Sequence, residues 1–103
     1  MVVPDVVIPE VCYLLAKGAQ APVEATFLRS LVSGRLMVEH VNDADLLRAA
    51  ELVEQYADLK LGGADASVIA VAERLEATEI ATLDHRHFRV VVPRHVDSFI
   101  LLP

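Results

Sequence analysis

The sequence predicts an α/β domain with a mainly parallel sheet. Three observations lead there. Segments of helical spacing alternate with short runs rich in Val, Ile and Leu. Residues 66–72 are apolar or small almost all round, the composition of a helix buried on every side. Ile80 to Leu83 is a short, mostly apolar run flanked by acids, as expected of a strand covered on both faces.

The elements follow in order. Met1 to Val3 suits a short strand, with Pro4 and Pro9 as punctuation. Pro9 fits the first turn of a helix, and Val11, Leu14 and Leu15 supply its spacing. Gly18 stops it, which places Glu10 near its start. Pro22 to Ser33 reads as a second helix with an apolar stripe of Val23, Phe27, Leu28 and Leu31, followed by Gly34. Leu36 to Val41 is a strand whose mixed faces, with Glu39 and His40, suit a sheet edge.

Asn42 caps a third helix and places Asp43 and Asp45 in its first turn, where acids favour the helix dipole. Leu46, Ala50, Val53 and Ala57 form its expected core stripe, with Glu51, Glu54 and Asp58 facing water. Gly62 and Gly63 break the chain, and Asp65 opens the apolar helix. Polar residues return at Glu73, Arg74 and Glu76, where that helix is expected to reach the surface. Asp84 stands where the Ile80–Leu83 strand leaves the sheet. Val90 to Val92, ended by Pro93, and Phe99 to Leu102 read as two further short strands.

A chain of 103 residues makes one domain, spanning 1–103. Its 54% hydrophobic content is high for that size and points to a further buried surface, such as a dimer or partner interface. The formal net charge of −6 excludes a general nucleic-acid coat, but not a metal-dependent nuclease, whose site itself consumes acids. The single cysteine, Cys12, allows no internal disulfide and reads as a core residue rather than a nucleophile. No apolar run approaches the roughly 20 residues of a membrane span. The N-terminus lacks the pattern of a secretory signal, so a cytoplasmic location is expected.

Three acids are candidates for chemistry: Glu10, Asp65 and Asp84. Each has a plain alternative. Asp65 suits a helix N-cap, Glu10 complements a helix dipole, and Asp84 suits a turn. Their joint placement says more, because helix starts and strand exits of a parallel sheet share one rim. Two carboxylates about 4 Å apart repel by roughly 4 kcal/mol at an effective dielectric of 20, so such a cluster binds a cation or keeps a proton. An all-oxygen site suits Mg²⁺ or Mn²⁺, which activates water and stabilises charge on a phosphate. His85 and His87 flank Arg86 without a second ligand pair spaced for zinc. Arg86, Arg89 and Arg94 face only Asp97 in the last part of the chain, which reads either as a solvated surface or as a rim that grips a phosphate backbone.

Three segments carry a family resemblance: VVIPEVCYLL around Glu10, LGGADASVIAVAERL around Asp65 and IATLDHRHF around Asp84. With the closing VVVP and FILLP, the chain resembles a PIN domain, more narrowly a VapC-type ribonuclease toxin of toxin–antitoxin pairs. The resemblance implies a three-layer α/β fold with a mainly parallel central sheet. It implies a Mg²⁺ or Mn²⁺ site to which Glu10, Asp65 and Asp84 contribute, and hydrolysis of RNA by metal-activated water. It also implies a homodimer and a cognate antitoxin. PIN domains open with a strand bearing a first active-site Asp and then a helical hairpin, which have no counterpart before Met1; Asp5 does not replace that acid. The expectation is therefore an N-terminally truncated PIN-like domain with a gap of about 9 to 10 Å, two strand spacings, in its sheet. Two functions follow: a metal-dependent endoribonuclease, or a non-catalytic module that binds an antitoxin or dimer partner.

Overall fold

Two short parallel strand pairs, one in each of two compact units, frame the helices. The structure, a computed structural model, describes residues 1–18, 21–81, 90–96 and 99–102. The units are Met1–Val41 and Asn42–Pro103.

In the first unit, β1 (Val2–Pro4) pairs in parallel with β2 (Met37–Glu39), with Val3 opposite Val38. Parallel strands need a long crossover. Here it is a 3-10 turn (Asp5–Val7) followed by α1 (Ile8–Lys17) and α2 (Ala21–Val32). Pro9 lies in the first turn of α1, where its missing N–H costs nothing. At the other end Gly18 donates its N–H to Leu14 and Ala16. After α2 the chain turns at Gly34, whose φ of +88° is a conformation that a side chain would disfavour. The strand, helix, helix, strand order thus follows the reading of the sequence. The apolar stripes are less buried than expected: neither α1 nor α2 contains a fully buried residue, and Leu14, Val23 and Leu28 are exposed.

In the second unit, α3 (Asp43–Gln55) and α4 (Gly63–Arg74) pack together, joined through a 3-10 turn (Ala57–Leu59). β3 (Glu79–Ala81) pairs in parallel with β4 (Ile100–Leu102), and Ile80 lies opposite Leu101. Asn42 caps α3 as expected and does so reciprocally. Its side chain accepts from the Asp45 N–H at 2.8 Å, and the Asp45 carboxylate accepts from the Asn42 N–H at 3.1 Å. The core gathers Ala49, Leu52, Leu61, Ala66, Ile69, Ala72, Ile80, Val91 and Phe99. As its composition predicts, α4 buries Ala66, Ser67, Ile69, Ala70, Val71 and Ala72. It ends in a left-handed residue, Glu76 (φ +54°), and the Ala77 N–H reaches back to the Ala72 carbonyl at 2.8 Å.

Three expectations need correction here. The inward face of α3 is Asp45, Ala49 and Leu52, with Tyr56 just beyond, so the anticipated stripe of Leu46, Ala50 and Val53 faces outward. The reason lies in the partners: Arg74 on α4 compensates a buried Asp45, which turns the helix by one residue's angle. The strand expected at Val90 to Val92 does not form. The Val92 N–H goes to the Tyr56 hydroxyl at 3.0 Å and the Arg94 N–H to Glu73 at 2.8 Å, so side chains replace a ladder there. The strand expected at Ile80–Leu83 begins one residue earlier, at Glu79. Thr82 and Leu83 lie outside the described residues.

Candidate functional site

Parallel pairing puts both strand exits of the first unit at one end. Asp5 directly follows β1 and joins those exits. Its Oδ2 lies 3.2 Å from His40 Nδ1, and its Oδ1 accepts from the Val41 N–H at 3.4 Å. The chain then enters α1, whose first turn carries Glu10. Glu10 is exposed and shares an open surface depression with Pro9, Tyr13 and Leu14. No side chain caps α1, so its first N–H groups keep a partial positive charge that favours an acid at this position.

Asp65 occupies the matching position in α4, in the first turn. It is half-buried, between the Gly62–Gly63 break and the buried run that begins at Ala66. The capping role considered for Asp65 falls to Gly62, which has extended backbone (φ −76°, ψ 159°) and whose carbonyl accepts from the Ala66 N–H at 2.9 Å. Ser67 turns its hydroxyl back to the Gly63 carbonyl at 2.7 Å. Asp65 is thus placed by the helix it follows into, not by the need to cap it.

Glu10 stands in the first unit and Asp65 in the second, each at a helix start. Asp84, the third candidate, lies outside the described residues, as do His85, Arg86, His87, Arg89 and Asp97. Among the described residues no group of three or more His, Cys, Asp or Glu side chains gathers as a metal site. Glu10 and Asp65 are oxygen donors, the chemistry that Mg²⁺ and Mn²⁺ prefer. Arg94, considered as a phosphate grip, places its guanidinium 3.0 Å from Glu51 and so spends it on an ion pair. Cys12 is half-buried and not the core residue expected; its thiol is held above its ordinary pKa by partial burial and then by neighbouring Glu24, which leaves it a poor nucleophile.

The polar assembly that the sequence did not reveal lies between α3 and α4. Arg74 bonds Asp45 through Nε (3.0 Å) and Nη2 (2.9 Å). Arg48 bonds Glu73 through Nε (2.8 Å) and Nη2 (3.0 Å). Arg74's hydrogen bonds, helped by the Asn42 N–H, hold the Asp45 carboxyl below its usual range despite its burial. Burial pushes the Glu73 carboxyl up, but Arg48, the Arg94 N–H and their charges together bring it below the usual range. The same contacts with Glu73 raise the Arg48 guanidinium. Glu73 therefore does not mark a return to water, as its polarity suggested: its side chain is only 6% exposed. The assembly fixes the helix that presents Asp65. The Asn42-x-x-Asp45 spacing was a legible signal for half of it. The Arg–acid pairs, 25 and 29 residues apart, leave none.

Residues 1–92 match the PIN domain family. The chain is also 33% identical over 103 residues to Ribonuclease VapC26 of Mycobacterium tuberculosis (strain ATCC 25618 / H37Rv), a match that covers all of this chain and 76% of that relative. Both matches run through Glu10, Asp65 and Asp84.

Proposed function

The chain belongs to the PIN-domain family, in its VapC-like branch, and from that membership we propose a ribonuclease that hydrolyses RNA phosphodiester bonds as the toxin of a toxin–antitoxin pair. The observation that carries the proposal is the likeness to a ribonuclease along the whole chain, including the helix starts that bear Glu10 and Asp65. The family match spans both compact units, which supports reading 1–103 as one PIN-like domain.

Under this reading Glu10, Asp65 and Asp84 supply carboxylate oxygens to Mg²⁺ or Mn²⁺. When bound, such an ion activates water and stabilises the negative charge of the phosphodiester in the transition state. The chain's own contribution is to hold its acids. Glu10 stands in the first turn of α1 and Asp65 in the first turn of α4, positions where the helix dipole favours an anionic side chain. A homodimer, a cognate antitoxin and action in the cytoplasm complete the reading. The exposed apolar residues of α1 and α2, among them Tyr13, Leu14 and Val32, offer surface to such partners.

Cleavage of RNA by the purified chain with Mn²⁺, with EDTA as control, tests the proposal. The Asp84→Asn variant is measured beside it. Loss of cleavage in the variant and with EDTA supports the reading; equal cleavage by both proteins defeats it. The burial-poor helices favour a second reading, a PIN-like module that binds a partner without catalysis. Mn²⁺ titration by calorimetry separates the two, because this second reading requires no metal binding.

A further inference from the structure

The exit end of the β1–β2 pair carries a histidine held in one orientation. The strands are parallel, so Asp5 and His40, each directly after its strand, stand side by side. Asp5 Oδ2 lies 3.2 Å from His40 Nδ1, and Asp5 Oδ1 accepts from the Val41 N–H at 3.4 Å. A carboxylate has no proton to give, so Nδ1 carries the hydrogen and donates it. The other ring nitrogen, Nε2, then lies on the side of the ring away from Asp5. The His40 side chain is 85% exposed. A pair this exposed contributes little to stability, so its main consequence is the orientation of the ring.

The placement of charge says what that ring can do. The basic side chains of Met1–Val41 are Lys17, Arg29, Arg35 and His40. Arg29 and Arg35 stand at the strand-entry end, where the Leu36 N–H bonds the Ser30 carbonyl and the Met37 N–H bonds the Met1 carbonyl. Lys17 lies in the last turn of α1, roughly 14 Å along that helix from its start, with its Nζ 5.6 Å from the centre of the Tyr13 ring. His40 is thus the basic side chain at the exit end. Its acidic neighbours are accounted for in turn. Asp5 is engaged with His40 and Val41. Glu39 precedes His40 in the extended chain, where successive side chains point to opposite sides. Glu10 follows in the first turn of α1, and Asp43 comes three residues after His40, in the second unit. On a chain of net charge −6, a polyanion that reaches Glu10 needs a cation beside it.

We propose that His40, positioned by Asp5, binds a phosphate of the RNA strand at the rim that carries Glu10. With a proton on both ring nitrogens, Nδ1–H stays with Asp5, and Nε2–H meets a non-bridging phosphate oxygen in a charge-assisted hydrogen bond. Glu10 follows Asp5 through the 3-10 turn and the first turn of α1, roughly 9 Å of helical rise. The two side chains therefore address neighbouring parts of one strand rather than the same atom. Such a contact fixes where the strand lies and carries no sequence information. The proposal rests on the nuclease reading of that rim.

The test measures binding of a short labelled oligouridylate to the full chain by anisotropy, with EDTA present so that the strand stays intact. Binding by the parent is expected to weaken as pH rises through about 5 to 8, the span in which histidines as a class change charge. His40→Gln is expected to bind about tenfold more weakly at the low end of that span and to lose this fall with pH. Its slope of log affinity on log salt is expected to be smaller by about 0.7, the share of one phosphate on a single strand. His40→Lys, which keeps a cation there, is expected to restore binding. Asp5→Ala is expected to weaken binding in the parent but not in the His40→Gln chain, as a residue that acts only through His40 must. Unfolding midpoints check that the variants remain folded. Cleavage with Mn²⁺ is expected to show the loss in His40→Gln as a raised KM with kcat held. Parent-like affinity and salt slope in His40→Gln overturn the proposal, as does a His40→Lys chain that binds no better than His40→Gln. Equal weakening by Asp5→Ala in both chains overturns the positioning by Asp5. These results leave the nuclease reading standing where the parent cleaves RNA. A parent that neither binds nor cleaves RNA ends that reading and this proposal together.

Discussion

Arg74 Nη2 lies 2.9 Å from Oδ2 of Asp45, a carboxylate whose side chain is 3% exposed on the facing helix. A second pair runs the opposite way: α3 supplies Arg48 and α4 supplies Glu73, 2.8 Å apart. Each helix thus gives one acid and takes one, and α4 is fixed in rotation and in height against α3. That clasp sets the position of Asp65, two turns and more before Glu73 on the same helix. It also holds the Arg94 backbone through Glu73.

Removing one partner leaves a buried charge without compensation. Arg74→Ala is expected to destabilise the chain by about 3 kcal/mol, because a broken buried pair costs more than the pair contributes. Urea unfolding at neutral pH measures it. A loss within about 0.5 kcal/mol, the range of an ordinary surface substitution, would show that the pair is not closed in solution.

The lowered pKa values of Asp45 and Glu73 predict acid sensitivity. Below their unfolded values, near 3.8 for Asp45 and 4.5 for Glu73, the unfolded chain binds protons that the folded chain refuses. Stability from these groups is therefore complete above those values and is lost as pH falls through the lower folded ones. Unfolding midpoints measured downward from pH 6 should fall in this window, and the fall should be shallower in Asp45→Asn. Identical pH profiles would remove Asp45 from the account.

The register of α3 can be read from two leucines. Leu52→Ala, at a site with no exposure, is expected to cost about 2 to 5 kcal/mol. Leu46→Ala, on the outer stripe, is expected to change stability by no more than about 0.5 kcal/mol. Reversal of that order in thermal or chemical unfolding would restore the stripe that the sequence favours.

Glu76 holds φ +54° at the end of α4, a conformation that costs an L-residue roughly 1 to 2 kcal/mol and glycine little. Glu76→Gly is expected to raise stability by about 1 kcal/mol, less the extra freedom glycine gains in the unfolded chain. A rise in the unfolding midpoint is the result to look for; a fall would mean the αL cap does not persist.

Asp65→Asn separates chemistry from scaffolding. If Asp65 holds the ion, RNA cleavage with Mn²⁺ is lost, while stability changes by no more than the roughly 0.3 to 1 kcal/mol of a dipole contact. Full cleavage by a destabilised variant would return Asp65 to a purely structural role.

By itself the sequence determined the kinds of element and their parallel order. A run without a polar face, residues 66–72, has nowhere to go but the interior, and α4 is buried there. Pro9, Gly18, Gly34 and Asn42 fix ends through backbone chemistry that acts within a few residues. Glu10 and Asp65 could be placed at helix starts for the same reason. What only the tertiary structure decided were the choices that depend on a distant partner. Helix α3 offers two apolar stripes, and its amino-acid pattern favours Leu46, Ala50 and Val53. Burying Asp45 beside Ala49 and Leu52 is tolerable only because Arg74, 29 residues away, meets it. Val90 to Val92 has the composition of a strand, yet Tyr56 and Glu73 take the N–H groups of Val92 and Arg94 instead of a neighbouring strand. Local patterns carry local energies, and a charge pair or a hydrogen bond between separate elements exists only once the chain has brought them together.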